Sequence, residues 1–332
     1  MRLGFAGGGT DVSPYSDLYG GAILNATINL YAQTAIEPLT DGQILIESID
    51  RKHIETLPAS LSLPINGIND LVKGIYNRVI KDFVKHPLSF RLTTYVDVPV
   101  GSGLGTSSSL VISILSAFVQ WLRLPLGEYE IAHLAYEIER NDLCMAGGKQ
   151  DQYAAAFGGV NFMEFFAGDK VIVNPLRIKQ EYLYELENNL VLYFTSATRL
   201  SSSIIEAQSK NVASENKQSL EAMHHLKEQA IQMKEALLRG RIDAIGEILD
   251  YGFQQKKKMA EGISNPLIEE VYEAVKKAGS TGGKISGAGG GGFMFFYCPL
   301  NTRHKVIECL TAFSGHTRSF EFTSQGYSSW AV

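Results

Sequence analysis

The sequence predicts an α+β protein of two domains, and three observations lead there. Its 332 residues, 45% of them hydrophobic, can bury a large core, and the length favours two domains over one. Strand-like and helix-like stretches follow one another without regular alternation, the order of an α+β rather than an α/β chain. Between residues 170 and 187 the texture turns charged and broken before an apolar strand restarts, which divides the chain into 1–185 and 186–332.

In chain order, Leu3 and Phe5 read as the middle of a strand already under way, and whether residues are missing before Met1 is not read from the sequence. Residues 22–37 and 43–48 alternate as strands, and 64–84 carries helical spacing. Phe90, Leu92, Thr94, Val96 and Val98 share one face of a strand that leads directly into a glycine loop. The apolar run 107–122 is a buried helix with Thr106 or Ser107 as its N-cap. A second helix, 128–140, turns Ile131, Leu134, Ala135 and Ile138 inward, and a short one, 152–157, stops at Gly158-Gly159. Past the boundary come a strand at 189–195, helices over 203–239, 242–260 and 266–278, and strands at 284–285 and 293–297. A helix over 304–313 and a strand near 319–323 complete the chain.

Composition excludes several classes. A net charge of −5 gives no footprint for nucleic acid, and the one basic cluster, Lys256-Lys257-Lys258, reads as a solvated helix face. Cys144, Cys298 and Cys309 are odd in number and far apart, which fits neither a disulfide framework nor a zinc site. No apolar run approaches the ~20 residues of a membrane span, and Met1-Arg2-Leu3-Gly4 lacks the form of a signal peptide. A cytoplasmic location is expected, with no membrane and no nucleic acid among the partners. The oligomeric state is not read from the sequence, and a homodimer stays open.

Function is carried by three glycine-dense segments: Gly7-Gly8-Gly9-Thr10-Asp11, Pro99 through Ser108, and Lys284 through Gly292. Glycine lets backbone N–H groups approach an anion, and a glycine loop running into a helix start is a phosphate cradle. The familiar cradles do not match. A Walker A loop would need a hydroxyl at Ile285 and a glycine at Ala278. The spacing of Gly101, Gly103 and Gly105 is wrong for a dinucleotide fingerprint, and neither His-Arg-Asp nor Asp-Phe-Gly occurs.

Pro99 to Ser107 resembles Pro-x-x-x-Gly-Leu-Gly-Ser-Ser of the galactokinase, homoserine kinase, mevalonate kinase and phosphomevalonate kinase superfamily, with Thr106 for the first serine. The late segment is similar to that superfamily's third motif, and Arg2 through Asp11 to its first. Sugar kinases of the group usually read Gly-Glu-His-Thr-Asp there, whereas Gly8 and Gly9 replace the Glu and His, which speaks against galactose. Gly7-Gly8-Gly9-Thr10-Asp11 with Gly147-Gly148-Lys149-Gln150-Asp151 resembles the branch of bacterial kinases acting on D-glycero-D-manno-heptose 7-phosphate, with fucokinase-type domains close by. The resemblance covers nearly the whole chain. It implies a ribosomal-S5-domain-2-like N-terminal domain, a ferredoxin-like C-terminal domain, and ATP and Mg²⁺ as cofactors of a sugar-phosphate kinase. An L-fucose kinase and a non-catalytic sugar sensor are the other readings.

The resemblance also implies roles, each beside a plainer explanation. Gly101, Ser102, Gly103, Leu104, Gly105, Thr106, Ser107 and Ser108 would wrap the ATP phosphates, or form an ordinary strand-to-helix turn. Ser107 and Glu139 would hold Mg²⁺, the plainer explanation of Glu139 being a salt bridge to Lys149. Asp151 would receive or orient the acceptor hydroxyl, or cap a helix. Arg2 would neutralise charge at the transferred phosphoryl and hold Asp151 ionised, or fray into solvent. Asp11, with Gly9 and Thr10, would bind sugar hydroxyls, Asp11 alternatively making an Asx-turn. Lys149 and Arg199 would match a substrate phosphate, or be surface charges. Gly287, Gly289 and Gly290 would close over the substrate, or form a turn between strands.

Overall fold

The computed structural model describes residues 1–196 and 201–332, so Arg199 lies outside the described residues. The first half runs β1 (Arg2–Ala6), α1 (Tyr15–Tyr19), β2 (Gly21–Thr27), β3 (Ala32–Pro38), β4 (Gln43–Ser48), β5 (His53–Pro58), α2 (Asp70–Val79), β6 (Phe90–Val96) and α3 (Thr106–Leu122). It continues through α4 (Glu128–Glu137), α5 (Gln150–Phe157), β7 (Val160–Phe165), β8 (Val171–Pro175) and α6 (Gln180–Asn189). The second half has β9 (Leu190–Phe194), α7 (Ser201–Ala213), α8 (Lys217–Leu238), α9 (Ile245–Lys256) and α10 (Pro266–Lys277). It ends with β10 (Gly282–Ile285), β11 (Phe293–Tyr297), α11 (Arg303–Leu310) and β12 (His316–Arg318).

Among the described residues there are three four-stranded sheets, in the orders β1-β2-β7-β8, β3-β6-β4-β5 and β10-β11-β9-β12. Every pairing is antiparallel except β4 with β6. The mixture of sheets and helices is the α+β class. One hydrophobic cluster joins Leu3, Phe5 and Leu24 of the first sheet to Met233 of α8 and Phe293 and Phe295 of β11. Because α8 packs on β1 and β2, the second half covers the first sheet and brings its own glycine segment to the start of the chain.

Several elements differ from expectation for identifiable reasons. The alternation over 22–37 is two strands, β2 and β3, in different sheets. β5 sits at a sheet edge and is mostly exposed, so its apolar alternation was too faint to read. The 64–84 helix starts at Asp70, and its end, like that of α4, winds as a π-turn over 80–84 and 138–142. The 203–239 stretch is broken before Asn216, whose side chain accepts the Ser219 N–H at 3.0 Å and caps α8. Helix α3 is capped by Gly105 in a left-handed conformation, not by the hydroxyl of Thr106 or Ser107. The last strand is 316–318, while Phe322 makes an isolated bridge to Ile28.

Candidate active site

The three glycine segments meet at one place. β1 begins with the Arg2 amide donating to the Leu104 carbonyl, 3.0 Å, which ties the start of the chain to the loop before α3. From there the Arg2 guanidinium, 5% exposed, contacts Asp151 Oδ1 at 2.7 Å through both Nε and Nη2. Its Nη1 donates to the Gly103 carbonyl at 2.6 Å and to Ser286 Oγ at 3.3 Å, and Ser286 Oγ donates to the same carbonyl at 2.8 Å. Arg2 is therefore a buried hub and not a frayed terminus.

Asp151 lies in the first turn of α5, where N-cap position belongs to Lys149, so it does not cap the helix. Its carboxylate instead abuts the start of α3: a Cβ on Gly105 would lie 3.2 Å from Asp151 Cγ. Asp11 supplies the remote cap of α5. Its Oδ2 accepts the Gln150 N–H at 3.0 Å. Gly148 permits this approach, because a Cβ there would stand 1.9 Å from Asp11 Oδ2. Burial raises the Asp11 pKa, the Gln150 N–H opposes that shift, and Asp151 adds to it. Two carboxylates thus share the positive end of one short helix.

The second and third glycine segments interlock backbone on backbone. A Cβ on Gly103 would come 2.5 Å from the Ser286 carbonyl, and one on Gly292 2.4 Å from that of Ser102. The Phe293 N–H donates to Ser102 O at 2.8 Å, and Ser102 Oγ pairs with Thr106 Oγ1 at 3.0 Å. Gly101 opens this turn, and Leu104 is fully buried beneath it.

Glu139 is 1% exposed in the π-turn after α4. It accepts Ser108 Oγ at 2.8 Å and the Gln152 side-chain amide, while Arg140 stands 4.0 Å away. Burial raises its pKa against the pull of Arg140, Ser108 and Gln152. Lys149 is not its partner. The hydroxyl brought to Glu139 is that of Ser108; half-buried Ser107 sits one residue earlier on α3. Among the described residues no cluster of three His, Cys, Asp or Glu could hold a metal. A magnesium ion held mainly by phosphate oxygens and water needs only one or two carboxylates, and the Gln152 Oε1, buried without a partner, is a further acceptor beside Glu139. The residues present fit such an ion.

Other assigned residues are held differently. The Thr10 hydroxyl, with its one proton shared between the Gly7 and Ala22 carbonyls at 2.8 and 3.0 Å, also accepts the Ala22 N–H, so it fixes the first loop to β2 instead of offering itself to a sugar. Gly9 gives its carbonyl to Gln208 of α7, 2.8 Å. Gly289 packs on Ile263, and the Gly290 N–H and carbonyl are bonded to Ile263 and Asn265. Gly287 turns its carbonyl to Lys256 Nζ. Lys149 is 1% exposed and already neutralised by Asp169 at 2.9 Å and Asp17 at 3.5 Å, beside the Tyr136 ring. Burial pulls its pKa down, and Asp169, Tyr136 and Asp17 outweigh that pull.

Sequence reasoning missed Lys256 and Lys284. Lys256 ends α9, 4% exposed, instead of lying on a solvated face; Lys284 of β10 is 3% exposed. Burial, with Arg2 adding repulsion, brings the Lys256 pKa down to about 8, and burial beside Lys256 and Arg2 lowers that of Lys284 well below the usual ammonium range. Between about 8 and the unfolded value the unfolded chain holds a proton at Lys256 that the native state sheds. The ligand-free protein should therefore gain stability as pH rises through that window. Lys256→Met should be more stable than the parent below pH ~8, by on the order of 3 kcal/mol, with the gap closing toward pH ~10. Denaturant melts at both pH values check this, and a gap that widens with pH contradicts it.

The family model for the GHMP kinases N terminal domain matches residues 70–159, and that for GHMP kinases C terminal matches 233–315. Over 332 residues the chain is 49% identical to the D-glycero-alpha-D-manno-heptose 7-phosphate kinase of Campylobacter jejuni, covering 100% of this chain and 97% of that one. It is 28% identical to the L-fucokinase/L-fucose-1-P guanylyltransferase of Bacteroides fragilis, over 89% of this chain and 33% of that one. The crystal structure of a D-glycero-D-manno-heptose 1-phosphate kinase from Bacteriodes thetaiotaomicron shares the fold with a TM-score of 0.84 and 44% identity, covering 100% of this chain and 98% of the other. Matched in both halves and aligned end to end with a known kinase, this chain belongs to the GHMP kinases, a family of phosphotransferases that carry phosphate from ATP to an alcohol.

Proposed function

We propose that this protein uses ATP to phosphorylate the anomeric hydroxyl of D-glycero-D-manno-heptose 7-phosphate, giving the 1,7-bisphosphate. The observation that carries the reading is the Arg2–Asp151 pair, 2.7 Å, at the mouth of the loop before α3. The amides of the 101–108 turn, apart from that of Ser102, which donates to the Pro99 carbonyl at 3.2 Å, and the positive end of α3 bind the ATP phosphates. Asp151 orients the sugar hydroxyl and takes its proton as the oxygen bonds to the γ-phosphorus and the bond to the ADP oxygen breaks. Arg2 offsets negative charge on the phosphoryl oxygens during transfer. Asp11, held by Gln150, accepts from neighbouring sugar hydroxyls. Glu139, with the hydroxyl of Ser108 or Ser107, would hold a magnesium ion, which supplies charge neutralisation on the phosphates.

The heptose is taken from the relative at 49% identity, and the cations of the cleft support an acceptor that is itself an anion. In a coupled assay the protein with ATP should release ADP on addition of this heptose phosphate and not with L-fucose, galactose or mevalonate. Turnover of L-fucose in its place would transfer the assignment to the fucokinase relatives. Sugar binding with no ADP release from any sugar would make it a sensor.

A further inference from the structure

We propose that Lys256 and Lys284 form the subsite for the phosphate that the acceptor sugar already carries. The inference rests on the reading above, in which the acceptor is a sugar phosphate. It also takes the place of Lys149 as a partner of that phosphate, since Lys149 is neutralised by Asp169 and Asp17.

Both ammonium groups come from the second half of the chain and converge on the first glycine segment. A Cβ built on Gly8 would lie 3.6 Å from Lys256 Nζ and 3.8 Å from Lys284 Nζ, with nothing else within 4 Å. The Gly8 backbone is not in the left-handed region, so strain does not demand a glycine there. The absent side chain leaves a Cβ-sized space in van der Waals reach of both amino groups.

The pair is also short of partners. Lys256 Nζ donates to the Gly287 carbonyl, and Lys284 Nζ reaches the Phe5 carbonyl at 3.5 Å. An ammonium has three donors, and among the described residues neither lysine forms an ion pair. Burial and mutual repulsion oppose protonation of both amines at once, and a phosphate dianion would bring the counter-charge and the acceptor oxygens that let both be ammonium. The Gly287 whose carbonyl Lys256 holds packs on the loop before α3, where a Cβ on Gly287 would lie 2.7 Å from Gly103 Cα. The subsite therefore belongs to the reaction cleft, and its anion to the substrate rather than to a distant effector.

The test compares kcat/KM for the heptose with and without its 7-phosphate, at saturating ATP and Mg²⁺, in the parent, Lys256→Met, Lys284→Met and Gly8→Asp. The ratio should favour the phosphorylated heptose in the parent and fall at least ~10-fold in each variant, through KM of the phosphorylated acceptor. Gly8→Asp places an internal counter-ion in the gap, so its melting temperature should hold or rise, separating loss of the subsite from loss of the fold. An unchanged ratio with kcat lowered equally for both acceptors would overturn the proposal and assign the lysines to the transferred phosphoryl. A parent inactive on both heptoses would defeat the functional reading instead. The lysines would then be judged by inorganic phosphate alone: it should raise the melting temperature of the parent more than that of Gly8→Asp, and equal rises would overturn the subsite.

Discussion

Asp151→Asn should lower kcat by roughly 10³-fold while nucleotide binding survives. The substitution keeps the shape of the side chain and removes its charge and its capacity to take a proton. Nothing in the 101–108 turn depends on that carboxylate for its geometry: the turn is held by the Arg2 N–H on Leu104 O, by Phe293 N–H on Ser102 O, and by Ser102 on Thr106. Arg2 loses an ionic partner but keeps the Gly103 carbonyl and the Ser286 hydroxyl. Because Asp151 is a quarter exposed, the loss of stability should stay near 1–2 kcal/mol, below that of a fully buried pair. Single-turnover kinetics beside a titration with an ATP analogue separates the two effects. Turnover within a few-fold of the parent would remove Asp151 from the reaction.

Gly103→Ala should be the most damaging small substitution in the second glycine segment, costing about 2–4 kcal/mol and most of the activity. Gly103 has φ +84°, a left-handed conformation that a Cβ disfavours, and that Cβ would be 2.5 Å from the Ser286 carbonyl. The Ser286 carbonyl and the Gly287 nitrogen next to it are backbone, so neither can rotate away. Relief requires the third glycine segment to withdraw, and with it the Ser286 hydroxyl that shares Gly103 O with Arg2. Gly42→Ala is the control: φ is +73°, but nothing lies within 4 Å of its Cβ. It should cost about 1 kcal/mol from conformation alone and leave kinetics intact. Equal melting temperatures for the two variants would show that the interlock carries no weight.

What was legible in the sequence was local. The glycine segments, the strand into the loop before α3, and the inward face of α4 are short-range patterns, and the fold places Arg2, Asp11, Gly105 and Asp151 in one cluster. What was not legible depends on which surfaces meet. Lys256 stands in a run of three lysines whose only reading from composition is solvent, yet α9 packs beside β1 and buries it. Lys149 looks like a free cation until Asp169, twenty positions on, folds back against it. The motif match singles out Ser107 beside Glu139, and only the rotation of α3 shows that the Ser108 hydroxyl is the one that reaches that carboxylate. The Gly105 cap was hidden for a different reason: two hydroxyl residues followed it, and the backbone used neither.

The most direct test is a crystal structure with a non-hydrolysable ATP analogue, Mg²⁺ and heptose 7-phosphate. The expected complex has the triphosphate against residues 101–108 and the anomeric oxygen ~3–3.5 Å from the γ-phosphorus, hydrogen-bonded to Asp151 with Arg2 beside it. A nucleotide bound elsewhere, or an anomeric oxygen out of reach of the Asp151 carboxylate, would contradict it.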